Sequence, residues 1–273
     1  MTLAGRFDAG QVAREVSGDP QVRVSAAVNA EGGPVVTELA FLHHTLRNDD
    51  DHVQVIRQSA GGSPRLVRLN INTGKFDGEQ VKHPLEHGSY HSDNAGVVRF
   101  ASGYKDYEIR SRQFQREPDG EWREINVEAD TGVQLIFNGF SADNKTASLI
   151  IEHDDGPDGF YAYDMATGKH RLVARHERVD VGRVLLSPID GGVIAVEYFD
   201  GKPKLEIIQP DDPFAKELLK ISRAFPDAYV TPTSYTADGR IGIYVVSSDV
   251  LPGEFYRVDH QTGEATPIAL RNL

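Results

Sequence analysis

The chain has no cysteine, so disulfides, thiol catalysis and cysteine-ligated metals are excluded together. It is also poor in positive charge. Its 29 Lys and Arg stand against 41 Asp and Glu, a formal net charge of −12. Nucleic-acid affinity rests on clustered cations, so a phosphate-binding surface is not expected. The basic run RLVARHER at 171–178 reads as a solvated strand face. No apolar run approaches the roughly 20 residues of a membrane-spanning helix, and no membrane partner is expected. The opening MTLAGRFD lacks a basic start followed by an apolar core, so no secretory signal is visible. Cytoplasm and periplasm both stay open, because exported bacterial proteins also often lack cysteine.

Catalytic signatures are missing as well. A serine hydrolase carries its nucleophile on a sharp turn, usually written Gly-x-Ser-x-Gly. The nearest approach is GFSAD at 139–143, where Asp143 replaces the second glycine, and it reads as a strand-connecting turn. No glycine-rich phosphate loop and no dinucleotide fingerprint is present. His83, His87 and His91 are spaced by four, which on a helix would suit zinc, but Pro84 and Gly88 break any such helix. That segment is expected to be a polar connecting loop. The oxygen-rich stretch HDDGPDG at 153–159 lacks the spacing of a calcium loop and is expected to be a hairpin tip, and the acidic stretch at 48–51 is another turn. No catalytic residue, metal ligand or cofactor-binding residue is assigned, and no cofactor is expected.

What the chain does contain is a repeat. LVRLNINTGK at 66–75, FYAYDMATGK at 160–169 and FYRVDHQTGE at 255–264 each read as a strand running into a Thr-Gly turn. Glycines 74, 168 and 263 lie 94 and 95 residues apart, twice a period of about 47, close to the length of one propeller blade. A second signal falls between them. Acidic or Gly-containing turns marked by Asp50, Asp93, Asp143, Asp190 and Asp238 recur at intervals of 43, 50, 47 and 48 residues. Each precedes a strand-like run, at 52–56, 97–101, 147–151, 193–198 and 241–246.

Two longer connections, around EPDG at 117–120 and PDDP at 210–213, stand where a Thr-Gly turn is missing. The expectation is an all-β chain, a β-propeller of four-stranded antiparallel blades. Five full units are recognisable from 37 onward. Residues 1–36 would form a partial blade or ring-closing strands, with candidate strands at 11–16, 21–28 and 35–39, and residues 37–273 the blades of a single domain. One short helical insert is predicted, capped by Asp212 with Pro213 in its first position. Its apolar face would be Phe214, Leu218 and Ile221, and Phe225-Pro226 would end it.

The C-terminal half carries a resemblance. AFPD at 224–227, SYTADGR at 234–240 and SSDVLPGEFYRVD at 247–259 are similar to the last propeller blade of prolyl oligopeptidase family (S9) serine peptidases. The bacterial branch often labelled dipeptidyl or acyl aminopeptidase is the most alike. GEWREI at 120–125, GFSAD at 139–143 and YAYD at 161–164 agree with it, over roughly residues 45 to 270. The resemblance implies a non-catalytic propeller that gates peptide access to a C-terminal α/β-hydrolase domain, its partner, absent from this chain. The catalytic Ser, Asp and His of that family have no positions here to be carried onto. Two other readings stay open: a stand-alone propeller serving as a protein-interaction scaffold, and a propeller enzyme with a metal in its channel.

Overall fold

In the computed structural model, residues 22–28, 34–46, 49–59, 62–106, 108–153, 155–236 and 238–271 are described. The candidate strand at 11–16 lies outside them. The chain divides into two compact units, Met1–Thr131 and Gly132–Leu273. The fold class is all-β, built from the antiparallel sheets of a β-propeller, each with its strands in sequential order.

The first unit holds two sheets. One joins β1 (Val22–Val28), β2 (Pro34–Thr45), β3 (His52–Ser59), β4 (Arg65–Asn70) and β5 (Phe76–Lys82), so the early segment adds a fifth strand alongside β2. The other joins β6 (His87–Ser92), β7 (Val98–Tyr104), β8 (Arg112–Arg116) and β9 (Trp122–Val127), followed by a one-turn helix α1 (Glu128–Thr131). The second unit holds three sheets. They are β10 (Leu135–Phe140) with β11 (Thr146–His153), β12 (Gly156–Asp164) and β13 (His170–Arg175); β14 (Val181–Leu186) with β15 (Val193–Phe199) and β16 (Pro203–Ile207); and β17 (Tyr229–Tyr235) with β18 (Ile241–Ser247), β19 (Glu254–Asp259) and β20 (Glu264–Leu270).

The fourth sheet departs from expectation, with three strands instead of four. Helix α2 (Pro213–Ala224) follows β16 and packs against β15, β16 and β17. Its start is fixed locally. The Asp212 carboxylate accepts from the Phe214 and Ala215 amides at 2.8 and 3.0 Å, and Pro213 occupies the first turn. Phe214, Ala215 and Leu218 are buried with Ile194, Val230, Tyr244 and Val258, so the helix completes the core between the fourth and fifth sheets. A separate core of Phe160, Ala174, Val193, Val196 and Tyr198 lies between the third and fourth sheets. In the first unit Leu66, Val81, Tyr90 and Val98 fill the space between its two sheets. Each core is therefore shared by neighbouring sheets, and burial of one large side chain there is worth about 2 kcal/mol.

The repeat extends to irregularities. One strand pair of every sheet, β2–β3 in the first sheet and the first two strands in the others, shifts register near the turn that joins it, at Leu42/His44, His91/Ser92, Phe137/Gly139, Leu185/Leu186 and Pro232/Ser234. A bulge of this kind sharpens the local twist that a blade needs. At the other end of the β6–β7 pair, Gly88 faces Gly103, and a Cβ on Gly103 would lie 2.1 Å from the His87 carbonyl oxygen.

Asp212→Ala is expected to cost about 1 kcal/mol through loss of the helix cap, read as a lower thermal midpoint and faster amide exchange in α2. Gly103→Ala is expected to cost more, about 2 kcal/mol or above, because backbone atoms rather than a mobile side chain must move.

Candidate functional site

The residues with catalytic potential are built into the fold in ways that define what they do. Ser141 follows β10 and belongs to a turn between two strands, not to the strand-to-helix elbow of a hydrolase. Its Oγ donates to Asp143 Oδ1 at 2.7 Å and accepts from the Thr146 amide at 3.0 Å. Asp143 in turn accepts from the Lys145 amide, and these bonds hold its carboxyl below the usual range. The serine is a turn-former, as its place in the repeat predicts.

The histidines required correction. The segment expected to be a connecting loop contains a strand, because β6 begins at His87 directly after the Pro84 turn. A strand sends alternate side chains to one face, and the three rings go to separate partners. His83 is buried against Tyr90, with ring centroids 4.9 Å apart. Its Nδ1 lies 3.0 Å from both the amide and the carbonyl oxygen of Leu85, and its Nε2 lies 3.3 Å from the Ser89 carbonyl oxygen. His87 is exposed on the strand. His91 Nε2 meets Ser102 Oγ at 2.9 Å. Sequence reasoning missed His43, which β2 brings to the same region, with its Nε2 3.0 Å from Ser92 Oγ and its ring 6.3 Å from Tyr90. No local signal marks His43; only the pairing of sheets places it there.

Burial dominates the electrostatics of this cluster. It pushes His43 down to about 4, with His44 adding a like charge, and His91 down to about 4, with His43 and His83 adding theirs. His83 is lowered by burial too. Among the described residues no three His, Asp or Glu converge as a metal site would require. The arrangement is a neutral, hydrogen-bonded aromatic core around Tyr90, whose hydroxyl lies 2.8 and 2.7 Å from the Pro64 and Val81 carbonyls.

The remaining candidates are structural. Of the stretch at 153–159, His153 ends β11 and pairs with Gly156, which opens β12, and Arg175 Nε donates to the Pro157 carbonyl at 2.7 Å. Asp49, at the β2–β3 turn, bonds His52 at 2.8 Å and pairs with Arg68. Its carboxyl is lowered chiefly by the His52 bond, and His52 is raised by the same contact.

No protein-family model matches the chain. Over 264 aligned residues it is 25% identical to dipeptidyl aminopeptidase BIII of Pseudoxanthomonas mexicana, a match that covers 84% of this chain and 38% of that protein. The crystal structure of puromycin hydrolase aligns with 92% of this chain and 42% of its own, at 16% identity and a TM-score of 0.52. Prolyl oligopeptidase B from Galerina marginata, bound to a 35mer hydrolysis and macrocyclization substrate, aligns with 97% of this chain and 43% of its own, at 10% identity and a TM-score of 0.51. The chain shares its β-propeller fold with part of these two enzymes. The chain spans well under half the length of the relatives it matches.

One pH dependence follows from the histidines of this propeller. An unfolded histidine takes a proton near 6.5, whereas folded His43 and His91 resist one until about 4. Below 6.5 the unfolded chain therefore binds more protons, and stability falls as pH drops toward 4. Trp122, whose ring centroid lies 6.4 Å from that of Tyr90, is the chain's single tryptophan and reports on this region. Urea unfolding followed by its fluorescence is expected to show a loss of roughly 1–2 kcal/mol per ring between pH 7 and 5. His43→Gln is expected to flatten that slope.

Proposed function

We propose that this chain is the non-catalytic propeller of a serine peptidase of the prolyl oligopeptidase type, and that it gates the access of peptides to an α/β-hydrolase domain lying outside residues 1–273. The observation that carries this reading is the extent of the match to dipeptidyl aminopeptidase BIII, which takes in most of this chain but only 38% of that protein. In this reading residues 37–273 are the blades, and residues 1–36 precede them as a partial blade or ring-closing strands. The hydrolase domain is the partner and short peptides are the substrates of the assembled enzyme.

The physical logic is steric. Blades set around an axis leave a channel that admits an extended peptide and excludes a folded protein. Acyl transfer needs a nucleophile, a base within hydrogen-bond reach and an oxyanion hole. Ser141 is engaged by Asp143 and the Thr146 amide, which leaves it the geometry of a turn.

The isolated chain is expected to leave dipeptidyl p-nitroanilides intact, whereas the product of the complete native reading frame hydrolyses them. Removing the propeller from that longer protein should open folded proteins to attack. A complete reading frame encoding no Gly-x-Ser-x-Gly with following Asp and His would overturn the reading, as would a longer protein whose propeller-free form still refuses folded substrates.

A further inference from the structure

The second unit contains a cavity of about 410 Å³ between its first two sheets, within the range of about 300–1,000 Å³ that small-ligand sites occupy. Its apolar lining is Phe160, Val173, Val193, Ile194 and Ile208. Around this surface stand Arg171 from β13 and three carboxylates, Asp143, Asp190 and Asp212. Ser148 of β11 also lines it, although only 7% of the residue is exposed.

The bonding of these groups is uneven. Each carboxylate spends one oxygen on its own backbone. Asp143 Oδ1 accepts from the Lys145 amide at 3.1 Å and from Ser141 Oγ at 2.7 Å. Asp190 Oδ1 accepts from the Gly192 amide at 2.9 Å, and Asp212 Oδ1 caps α2. The second oxygen of Asp143 has Lys145 Nζ at 3.5 Å. Those of Asp190 and Asp212 accept no hydrogen bond among the described residues. Neither the Arg171 guanidinium nor the Ser148 hydroxyl has a hydrogen bond or ion pair among the described residues. Arg171 and the carboxylates thus line one cavity without closing on one another.

The guanidinium and the free carboxylate oxygens line one apolar-walled space, an arrangement that suits a molecule carrying both charges. We propose that this cavity binds a zwitterion of amino-acid or dipeptide size. The ligand carboxylate lies on Arg171, as the forked guanidinium favours. The ammonium lies on the free carboxylate oxygens, and an aliphatic side chain on the Phe160–Val173–Ile194 surface. A simple anion would face three carboxylates, and a simple cation would leave Arg171 unmatched. Ser148 supplies one further hydrogen bond. The proposal concerns the space between two sheets and does not depend on the peptidase reading.

The test is calorimetric titration of the folded chain with glycyl-L-leucine, with butyrate and n-butylamine as single-charge comparisons. Saturable binding of the dipeptide is expected, about tenfold or more tighter than either comparison. Arg171→Gln should weaken it about tenfold. Asp190→Asn, which keeps the oxygen that accepts from Gly192, should weaken it less. Arg171 and Asp190 are exposed, and circular dichroism and the thermal midpoint are expected to match the parent. The absence of saturable heat up to about 10 mM dipeptide, equal affinity for n-butylamine, or unchanged affinity in Arg171→Gln would each overturn the proposal.

Discussion

The regularity of this chain depends on one interaction, a side-chain oxygen at a strand end that accepts from the backbone two or three residues ahead. Asp143 bonds the Lys145 amide, Asp190 that of Gly192 and Asp238 that of Arg240. Asn70 bonds the amides of Asn72 and Thr73, Asp164 those of Ala166 and Thr167, and Asp259 those of Gln261 and Thr262. The bond satisfies amides that the ladder leaves behind and turns the chain back on itself. The Thr-Gly step then enters positive φ, as at Gly74, Gly168 and Gly263. Asp143, Asp164 and Asp238 favour their ionised form, since the bonds they accept hold their carboxyls low. Part of the acidity of the chain is therefore architectural and says little about the charge of its partners.

This explains what was legible. Turns are local, so their spacing in the sequence marked the blades, and the strands after Asp93, Asp143, Asp190 and Asp238 fall where the runs placed them. The helix was legible for the same reason, through Asp212, Pro213 and its i, i+4 apolar face. The strand count of the fourth sheet was not. Asp190 and Asp238 are 48 residues apart, a normal interval, yet the space is filled by three strands and a helix. A period counts the distance between turns, and a helix can span what a strand would have spanned.

Groups assembled across sheets were equally hidden. His43 and His91 come from strands of different sheets, and nothing near either residue announces the other. The same holds for Glu197, which pairs with Arg183 while Arg183 Nη1 reaches Thr231 Oγ1 at 2.7 Å, linking the fourth sheet to the fifth. Burial raises the Glu197 carboxyl and the arginine opposes that, so the pair fixes alignment more than it adds stability.

The short fourth sheet has a bearing on how the molecule meets others of its kind. A sheet that stops one strand early presents unpaired backbone groups to which a strand of a second molecule can add. Here that margin opens with Pro203, which offers no amide. It carries exposed Lys204 and Glu206, and it is followed by a helix whose Phe214 and Leu218 share a core with Leu205 and Ile207. The residues that truncate the blade also make its rim a poor template for self-association, so a departure from the repeat is tolerated without turning the sheet into a growth point for aggregates.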